Sequence, residues 1–504
     1  MPERPPRRGS DDDGEREGGR RGGRARPRRG RPEPRVAAGH HRRGGPTLAR
    51  QIAVRVLERV ERVRAFADLA LHHALASTEL SGADRALATE IVYGTLRWRG
   101  RIDFVLGHVL DRDLEKLEPM VASILRAGAY QLLFADRIPA SAAVDESVRC
   151  ARALGAGRAS GLVNAVLRRL ARDHVGIPVP ALDKDPHGHL VHALSVPPWI
   201  AERWLERFPP DEAAALARAS NEPAPRTVRA NRARTTRDAL LARLRERYDE
   251  ARPCAIARDG IALGRGAAPS RHPAFLAGEF SMQDEASQLV VELLDPQPGE
   301  LVLDVCAAPG TKALAIAERV GDAGRVVACD RHAGRLRLVA RDARRLGLAH
   351  VETLVRDGAE SLEDLVPEGR AGFDRVLVDA PCSGLGSLRR NPDARWRIRP
   401  ADVEALADLQ RRILDRAAAV VRPGGVLVYS TCTLLPEENE RQADAFAQRH
   451  PELRRCARRE LPAHLTPALR DDGALECLPH VHGTDGFYAA RFARADDREP
   501  EGAR

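Results

Sequence analysis

Two spacings of apolar residues divide the chain into regions of different structure. Between residues 47 and 172, apolar residues recur every three or four positions, as in TLARQIAVRVLERVERV and PMVASILRAGAYQLLFA. This spacing puts them on one face of each helix and predicts an all-α domain. Beyond residue 281, short apolar runs alternate with helical stretches, which predicts a parallel sheet covered by helices.

The segments around these two regions differ in composition. Residues 173–190 are rich in Pro, Gly and Asp and predict a linker, and the mixed pattern over 191–280 predicts a small α/β domain. The tails, residues 1–46 and 496–504, cannot bury a core and are expected to be disordered. The large α/β domain then covers 281–495, with strands predicted at 301–305, 326–329, 351–355, 373–378 and 426–429, and an edge strand at 487–492.

Most of the positive charge lies in the first tail. Residues 1–46 contain 14 Arg against seven Asp and Glu, while the whole chain has a net charge of +9. The rest of the protein is therefore nearly balanced, and its charge alone says little about a nucleic-acid partner. The tail itself is open to two interpretations, a solvated extension or a nonspecific RNA-binding arm.

Composition argues against several classes of protein. No apolar run is long enough to span a bilayer, and the first residues lack an apolar signal segment, so we expect a cytoplasmic protein without a membrane anchor. The eight cysteines form no C-x-x-C pair, so no metal site is expected. Free thiols are the expectation in a reducing compartment.

The stretch LVLDVCAAPGTKAL, residues 301–314, contains the first candidate binding loop. A buried strand, a turn of small residues and a helix present backbone N–H groups at the carboxyl edge of a sheet. The loop matches neither the dinucleotide nor the P-loop fingerprint. Asp330 ends the next strand about 20 residues beyond Gly310, where an acid can accept hydrogen bonds from a ribose. Asp357 follows the third strand, where it can accept from an adenine amino group. The pattern predicts a nucleoside-bearing cofactor without a pyrophosphate.

Lysine is rare in this chain, which gives Lys312 in that loop unusual weight. Only Lys116, Lys184 and Lys312 occur among 81 basic residues. A flexible ammonium group and a planar guanidinium are not interchangeable, so a lysine retained at this position indicates a specific role.

Two further loops each contain a cysteine after a predicted strand. They read D-A-P-C-S-G, with Asp379 and Cys382, and S-T-C-T, with Cys432. A single cysteine after a strand is most often a buried small apolar residue, and Cys306 and Cys329 fit that interpretation. Two cysteines in such loops of one sheet favour chemistry, because a thiolate can add to C6 of a pyrimidine and make C5 nucleophilic. A second group must then remove the C5 proton so that the thiol can leave.

The loops CAAPGTK, DAPCSGLG and STCTLLPEENE resemble the signature loops of the S-adenosylmethionine (SAM)-dependent RNA cytosine-5 methyltransferases. FSMQDEASQLV and LPHVHGTDGFYAARF resemble the flanking segments of that family, and residues 47–172 resemble the NusB-like RNA-binding domain. The combination resembles the bacterial small-subunit rRNA methyltransferase B group. This resemblance implies a NusB-like helical domain, a small α/β domain and a Rossmann-like methyltransferase domain.

The resemblance also implies roles for individual residues. Cys432 would attack C6, Cys382 would assist product release, and Asp379 and Lys312 would complete the catalytic group. Asp330 would bind the ribose of SAM and Asp357 its adenine. The implied cofactor-binding residues are Cys306, Ala307, Ala308, Pro309, Gly310, Thr311, Lys312, Asp330, Asp357 and Asp379. Thr311 replaces a second glycine of the family loop. A glycine there serves either a positive φ or a close approach of the backbone, and threonine resists both, so we expect altered SAM affinity with binding retained.

The segment LRRNPDARWRIRP, residues 388–400, predicts RNA contacts. It surrounds an aromatic side chain, which can stack on an unpaired base, with guanidinium groups. The candidate residues are Arg389, Arg390, Arg395, Trp396 and Arg397. The alternative is an Arg-rich solvated loop. Glu437, Glu438 and Glu440 follow Pro436 and are interpreted as a favourable helix start.

The sequence thus favours SAM-dependent methylation of C5 in a cytosine of RNA, with small-subunit rRNA the expected partner and a monomer the expected state. A tRNA substrate for the same chemistry remains open. A non-catalytic NusB-like RNA-binding factor is a rival, although the two cysteines, Asp379 and Lys312 argue against it. A nicotinamide oxidoreductase is disfavoured because G-x-G-x-x-G is missing.

Overall fold

The computed structural model describes residues 47–496, and the predicted tails lie outside this range apart from Asp496. Within 47–496, no helix combines the length and the apolar character needed to cross a membrane. The described residues form three successive regions, which are a helical region, a small α/β unit and a larger α/β domain.

The first region is helical, as the spacing of apolar residues predicted. Ser81 caps the third helix by accepting a hydrogen bond from the backbone N–H of Asp84 at 3.1 Å, and Pro119 begins the fifth helix, where its missing N–H costs nothing. The helices pack around one buried apolar core. They are α1 (Leu48–Val63), α2 (Ala67–Ala76), α3 (Gly82–Arg97), α4 (Arg99–Val109), α5 (Pro119–Phe134), α6 (Ala140–Ala153) and α7 (Ser160–Asp173).

The second region is a small α/β unit built on an antiparallel sheet. Its four strands have the order β2-β3-β1-β4. The elements are α8 (Pro186–Gly188), α9 (Pro198–Arg207), α10 (Pro210–Asn221), β1 (Thr227–Ala230), α11 (Arg237–Leu244), β2 (Arg252–Pro253), β3 (Gly260–Ala262), α12 (Pro273–Leu276) and β4 (Phe280–Met282).

The third region is a doubly wound α/β sheet. Its strands are β5 (Leu301–Asp304), β6 (Arg325–Asp330), β7 (Val351–Val355), β8 (Phe373–Asp379), β9 (Val421–Thr431), β10 (Leu453–Arg455), β11 (Leu475–Cys477) and β12 (Phe487–Arg494). Its helices are α13 (Glu285–Leu294), α14 (Thr311–Val320), α15 (Ala333–Leu346), α16 (Ala394–Arg397), α17 (Pro400–Ala419), α18 (Glu440–Arg449) and α19 (Pro479–His482).

The order of the strands brings the predicted loops to one edge. Five parallel strands run β7-β6-β5-β8-β9, and the chain reverses direction across the sheet between β5 and β8. Ligands of such sheets bind outside the carboxyl ends of the strands at this switch point. One prediction was wrong: residues 487–492 do not form an edge strand, because β12 lies antiparallel between β9 on one side and β10 and β11 on the other.

Alternating side chains of the parallel strands fill two cores, one on each face of the sheet. Val302 and Val326 point to the face covered by α13, α14 and α15, whereas Leu303 and Val327 point to the face covered by α17 and α18. Burial on both faces explains why these strands appear in the sequence as nearly continuous apolar runs.

A buried arginine attaches the second region to the cofactor-loop helix. Arg229 of β1 forms a two-pronged ion pair with Glu318 of α14, with N···O distances of 3.1 and 2.7 Å. The same guanidinium donates to the carbonyl of Thr311 at 3.0 Å. Both partners of the ion pair are almost fully buried. The geometry fixes the start of α14, and with it the candidate binding loop, against the small α/β unit.

Candidate active site

The turn after β5 has the backbone that a close ligand approach requires. Gly310 has φ of 111°, and a Cβ added there would lie 2.9 Å from the side chain of Val339. Only glycine fits this position. Thr311 begins α14 and is not among the residues with positive φ. A positive φ is therefore needed at Gly310 and not at Thr311, while the expectation of altered SAM affinity through close backbone approach stays a prediction.

Acidic side chains lie beyond the next two strands, as the spacing predicted. Asp330 ends β6, and one of its oxygens accepts from the backbone N–H of His332 at 2.8 Å. Asp357 follows β7 and accepts from the N–H of Ala359 at 3.0 Å. These turns hold both carboxylates at the carboxyl edge of the sheet. The edge therefore offers two acceptors for hydroxyl or amino groups beside the glycine turn, which fits a nucleoside such as that of SAM.

The two predicted cysteines meet. Cys382 follows β8 and Cys432 follows β9, and their Sγ atoms are 3.4 Å apart. The backbone N–H of Cys432 also donates to Sγ of Cys382 at 3.4 Å. Both residues are half-buried and neither is in a disulfide. The hydrogen bond with Cys432, together with burial, holds the pKa of the Cys382 thiol well above its ordinary value. Cys382 therefore keeps its proton, and its S–H can donate to the sulfur of Cys432.

Lys312 and Asp379 form an ion pair in the same cluster. The Nζ atom of Lys312 is 2.7 Å from Oδ2 of Asp379, and the hydroxyl of Ser430 donates to Oδ1 of Asp379 at 2.8 Å. The lysine side chain is only 7% exposed, against 30% for the aspartate. The pair connects the cofactor loop to the strands that carry the two cysteines.

A second carboxyl group lies beneath this pair. Asp304 at the end of β5 is fully buried, and burial, reinforced by the negative charge of Asp379, raises its pKa to about 8. The nearby Lys312 ammonium acts in the opposite direction. Asp304 is accordingly neutral at pH 7, so the ion pair above it carries the charge of this part of the site.

The other cysteines do not join the pair. Cys329 is fully buried, and burial raises the pKa of its thiol to about 12. Cys306 is in the loop after β5, where burial, which is the largest cause, and nearby carboxylates such as that of Asp379 also raise the pKa of its thiol. Four further cysteines, which were predicted to have only a structural role, are also free thiols. They are Cys150, Cys254, Cys456 and Cys477. Burial raises the pKa of each of these four as well.

Sequence reasoning missed the residues behind the cysteine loops. Glu438 was interpreted as part of a helix start, but it is fully buried and accepts hydrogen bonds from the loop that contains Cys382. Asn439 and Gln410 are fully buried beside it. The stretch P-E-E-N-E contains three glutamates, and nothing in the sequence indicates which of them is buried.

The predicted RNA-binding segment packs against the protein itself. Arg389 and Arg395 are buried. The guanidinium of Arg389 donates to the carbonyl groups of Gly483 and Pro223. That of Arg395 donates to Asn221 and to three carbonyl groups, one of which is that of Arg97 in α3. These contacts with protein groups leave Arg389 and Arg395 little surface to offer to RNA, so the structure gives no support to an RNA contact at either residue, which stays a prediction.

The other three residues of that segment also have protein partners. Arg390 forms ion pairs with Asp284 and Asp485 at 2.8 and 2.6 Å. The indole N–H of Trp396 donates to the carbonyl of Leu96 at 2.6 Å. The guanidinium of Arg397 lies 4.0 Å from the ring centroid of Phe66. The segment thus joins the helical region to the sheet domain, and it does not form the open Arg-rich surface expected from the sequence.

The strand order and the acid-lined edge define a class, the SAM-dependent methyltransferases. Residues 291–493 match the family model "16S rRNA methyltransferase RsmB/F". Residues 47–172 match the NusB family, and residues 196–268 match the ferredoxin-like domain of RsmF/B-like methyltransferases. The predicted fold class, a NusB-like helical domain, a small α/β domain and a Rossmann-like methyltransferase domain, is confirmed.

Similarity to individual proteins extends over most of the chain. The probable ribosomal RNA small subunit methyltransferase B of Bacillus subtilis is 37% identical over 447 residues, which cover 88% of this chain and 98% of that protein. The ribosomal RNA small subunit methyltransferase B of Pseudomonas putida is 36% identical over 82% of this chain and 91% of its own length. The crystal structure of PH0851 superposes with a TM-score of 0.73 at 25% identity, covering 88% of this chain and 99% of that one. The chain belongs to the ribosomal RNA small subunit methyltransferase B family.

The methyl donor of this family is SAM. The glycine turn at Gly310 and the carboxylates of Asp330 and Asp357 fit it by their chemistry, since they offer a close backbone approach and two acceptors. Among residues 47–496, no group of His, Cys, Asp and Glu side chains is arranged to hold a metal ion.

Proposed function

We propose that this protein transfers a methyl group from SAM to C5 of a cytosine in 16S rRNA through a covalent bond between Cys432 and C6. The observation that carries the proposal is the pair of thiols of Cys382 and Cys432, 3.4 Å apart at the carboxyl edge of the sheet. One thiol adds to C6 of the ring, and the other takes the proton from C5 so that the adduct can eliminate. The reaction therefore needs both thiols beside the C5–C6 bond. A non-catalytic RNA-binding factor would have no use for this arrangement.

The ion pair beside the cysteines suits cytosine. Cytosine has an amino group on C4, next to the carbon to be methylated, and a carboxylate such as Asp379 can accept its hydrogen bond. Uracil has a carbonyl oxygen there, which a carboxylate would repel. Lys312 neutralises Asp379 and offers further N–H donors to the acceptors of the ring. The pair would therefore select cytosine and orient its C5–C6 bond over the thiols.

The first step belongs to Cys432. Its thiol proton passes to solvent, the sulfur forms a bond to C6, and the electron pair of the C5–C6 double bond moves toward C5 and N3. Cys382, kept protonated by its neighbour and by burial, can donate its S–H to the Cys432 sulfur and stabilise the thiolate before attack. When bound, SAM supplies the electrophilic methyl group that C5 accepts.

The second step belongs to Cys382. Once Cys432 has become a thioether, the interaction with Cys432 that raised the pKa of Cys382 most strongly is lost. Cys382 then gives its own thiol proton to solvent and, as a thiolate, takes the remaining proton from C5. The electrons of the C5–H bond re-form the C5–C6 double bond, the C6–S bond breaks, and Cys432 is released as a thiolate. Two protons pass to solvent and one returns to the Cys432 thiolate, so the net reaction releases the one proton that the methyl group replaces, and no further reactant is needed.

The residues proposed to hold the cofactor are those of the loop from Cys306 to Lys312, with Asp330 toward the ribose and Asp357 toward the adenine. The target cytosine must leave its stack for C6 to reach a half-buried sulfur. The family of the relatives and the NusB-family match over residues 47–172 support rRNA as the substrate over tRNA.

The test is methylation of rRNA with isotopically labelled SAM, followed by nucleoside analysis. We expect the label in 5-methylcytosine, and label in any other nucleoside would contradict the proposal. Cys432→Ala should abolish turnover and the covalent protein–RNA complex. Cys382→Ala should accumulate that complex, which denaturing gels detect. The opposite behaviour of the two variants would show that their roles are exchanged.

A further inference from the structure

Cys382 is held from both sides by buried polar side chains. On one side, the side-chain amide of Gln410 in α17 donates to the carbonyl of Pro381 at 2.9 Å. On the other side, Glu438 accepts from the backbone N–H of Ser383 at 2.8 Å and from its hydroxyl at 2.5 Å. Gln410 also donates to Glu438 at 3.0 Å, so the hydrogen bonds on the two sides of Cys382 are connected. The residues before and after the cysteine are thereby fixed.

Cys432 is held in the same way by the next residue of the chain. Asn439 accepts from the hydroxyl of Thr431 at 2.5 Å and donates to the carbonyl of Thr433 at 3.1 Å. Glu438, Asn439, Thr431 and Thr433 are all fully buried, whereas the two cysteines between these anchors are half-buried. A dry, hydrogen-bonded support therefore lies directly behind two cysteines that are only half-buried.

We propose that Glu438 and Asn439 are the positioning residues of the reaction, Glu438 for Cys382 and Asn439 for Cys432. They are consecutive in the chain, so the two cysteine loops are tied to one dipeptide, and the hydroxyls of Ser383 and Thr433, 2.7 Å apart, join the loops directly. The inference rests on the proposed function, because it assigns each residue to one half of that reaction.

The chemistry explains why a shared support is useful. Attack and elimination occur at the two ends of one carbon–carbon bond, so the sulfurs must keep a fixed separation while the ring is held between them. Misplacement of a reacting group by about 1 Å can cost about 100-fold in rate. Glu438 and Asn439 are fully buried behind the cysteine loops, so both residues act only through those loops.

The test compares Glu438→Gln and Asn439→Ala with the matched control Glu437→Gln. The carboxylate of Glu438 faces three donors, so an amide at this position would place an N–H group against another donor. Glu437 is the preceding residue, is partly exposed and pairs with Arg203 at 3.1 Å. Its substitution removes the same charge without touching either cysteine loop.

The two variants are expected to fail at different steps. Glu438→Gln should form the covalent RNA complex at the wild-type rate and release it about 10- to 100-fold more slowly, so that the complex accumulates. Asn439→Ala should form the complex about 10- to 100-fold more slowly and release it normally. The KM for SAM should stay unchanged in both, and Glu437→Gln should match the wild type in every measurement.

A second measurement needs neither RNA nor SAM. Phenylarsine oxide binds two neighbouring thiols, forming two As–S bonds with loss of one water molecule. The wild-type protein should bind it at Cys382 and Cys432 and lose this binding in Cys382→Ala. Glu438→Gln and Asn439→Ala should each weaken it, because the sulfurs lose their fixed separation. If Glu438→Gln fails to fold, Ser383→Ala replaces it, because this change removes the hydroxyl that donates to Glu438. If Asn439→Ala fails to fold, Thr431→Val replaces it, because this change removes the hydroxyl that donates to Asn439.

The outcomes separate this inference from the proposed function. Unchanged arsenical binding and unchanged single-turnover rates in folded Glu438→Gln and Asn439→Ala overturn the positioning role. If the same step is slowed in both variants, the assignment of Glu438 to release and of Asn439 to attack is overturned. If the wild-type protein methylates something other than cytosine, the proposed function fails, while arsenical binding still reports whether the dipeptide sets the distance between the thiols.

Discussion

The ammonium group of Lys312 lies 2.7 Å from the carboxylate of Asp379, which joins the turn after β5 to the end of β8. This contact brings the predicted cofactor loop and the predicted cysteine loops into one site. The lysine is buried and sits 4.9 Å from the ring centroid of Phe487, so its charge is compensated almost entirely by Asp379. A buried charge that loses its partner is costly, and each member of this pair therefore depends on the other.

Removal of the lysine charge should impair methylation more than folding. We expect Lys312→Met to lower single-turnover methyl transfer by about 100-fold, because Asp379 loses the counter-charge that fixes its carboxylate where we propose that the cytosine binds. Lys312→Arg should not rescue the rate, since a planar guanidinium does not fit the space of a compact ammonium. Lys116→Met is the control, because Lys116 is exposed and pairs with Asp113 at the surface. Wild-type rates in Lys312→Met would contradict the assigned role.

The cofactor loop allows a sharp test of two adjacent positions. Gly310→Ala should weaken SAM binding by at least about 10-fold, since it adds a Cβ at a positive φ and against Val339. Thr311→Gly should leave SAM affinity within about threefold and reduce stability by at most about 1 kcal/mol, because Thr311 has an ordinary helical backbone. Isothermal titration calorimetry with SAM measures both affinities. Improved SAM binding in Thr311→Gly would bear out the expectation drawn from the sequence.

The meeting of Cys382 and Cys432 could be predicted, although 50 residues separate them in the chain. Each follows a strand of a parallel sheet, and carboxyl ends of neighbouring parallel strands meet at one edge whatever the intervening sequence. The same argument located Asp330 and Asp357. Local patterns were sufficient for these four residues because the geometry of a doubly wound sheet supplies the long-range information.

Arg395 and Glu438 could not be assigned in this way. A guanidinium among other arginines usually remains in solvent, and burial of Arg395 depends on carbonyl groups of residues 97, 195 and 220, which only the packing of three regions brings together. Glu438 turned inward because the loop after Cys382 offers three donors in a dry space. Neither set of partners has a fixed spacing along the chain.

The buried carboxyl of Asp304 should make stability depend on pH. Its pKa is about 8 in the folded protein against an ordinary value of 3.8, so between these values only the folded state retains the proton. The stability from this group is present in full below the lower value and is lost as pH rises through about 8. Asp304→Asn stays neutral, so its stability relative to wild type should improve by up to roughly 1.4 kcal/mol per pH unit over that range.

Urea denaturation at pH 5, 6.5 and 8 measures this trend, and Asp374→Asn, measured from pH 5 down to about 3, provides a control of opposite sign. Burial alone would raise the pKa of Asp374, but hydrogen bonds from the Leu301 N–H and from Arg422 lower it overall. The stability that Asp374 contributes is therefore present at neutral pH and lost as pH falls through its folded-state pKa, so the deficit of Asp374→Asn should shrink in acid. An Asp304→Asn curve parallel to the wild type would show that Asp304 is ionised in the folded protein.

Arg395 provides the last test, because it separates a structural role from RNA binding. Its guanidinium is 1% exposed and has no carboxylate partner among the contacts described for it, and burial lowers its pKa to about 9. The group is thus still charged at neutral pH and is stabilised by four oxygen acceptors. Arg395→Ala leaves these acceptors buried and unpaired, and we expect a loss of about 3 kcal/mol or more in the free energy of unfolding.

The RNA affinity of Arg395→Ala should equal that of the wild type once the folded fraction is taken into account. Arg399→Ala is the matched control, since Arg399 is an exposed arginine four residues away in the same segment, and its loss should leave stability within about 0.5 kcal/mol. Filter binding to rRNA fragments, run beside thermal denaturation, gives both quantities. If Arg395→Ala kept wild-type stability and bound RNA more weakly, the buried position of its side chain would not describe the protein in solution, and the RNA contact predicted from the sequence would stand.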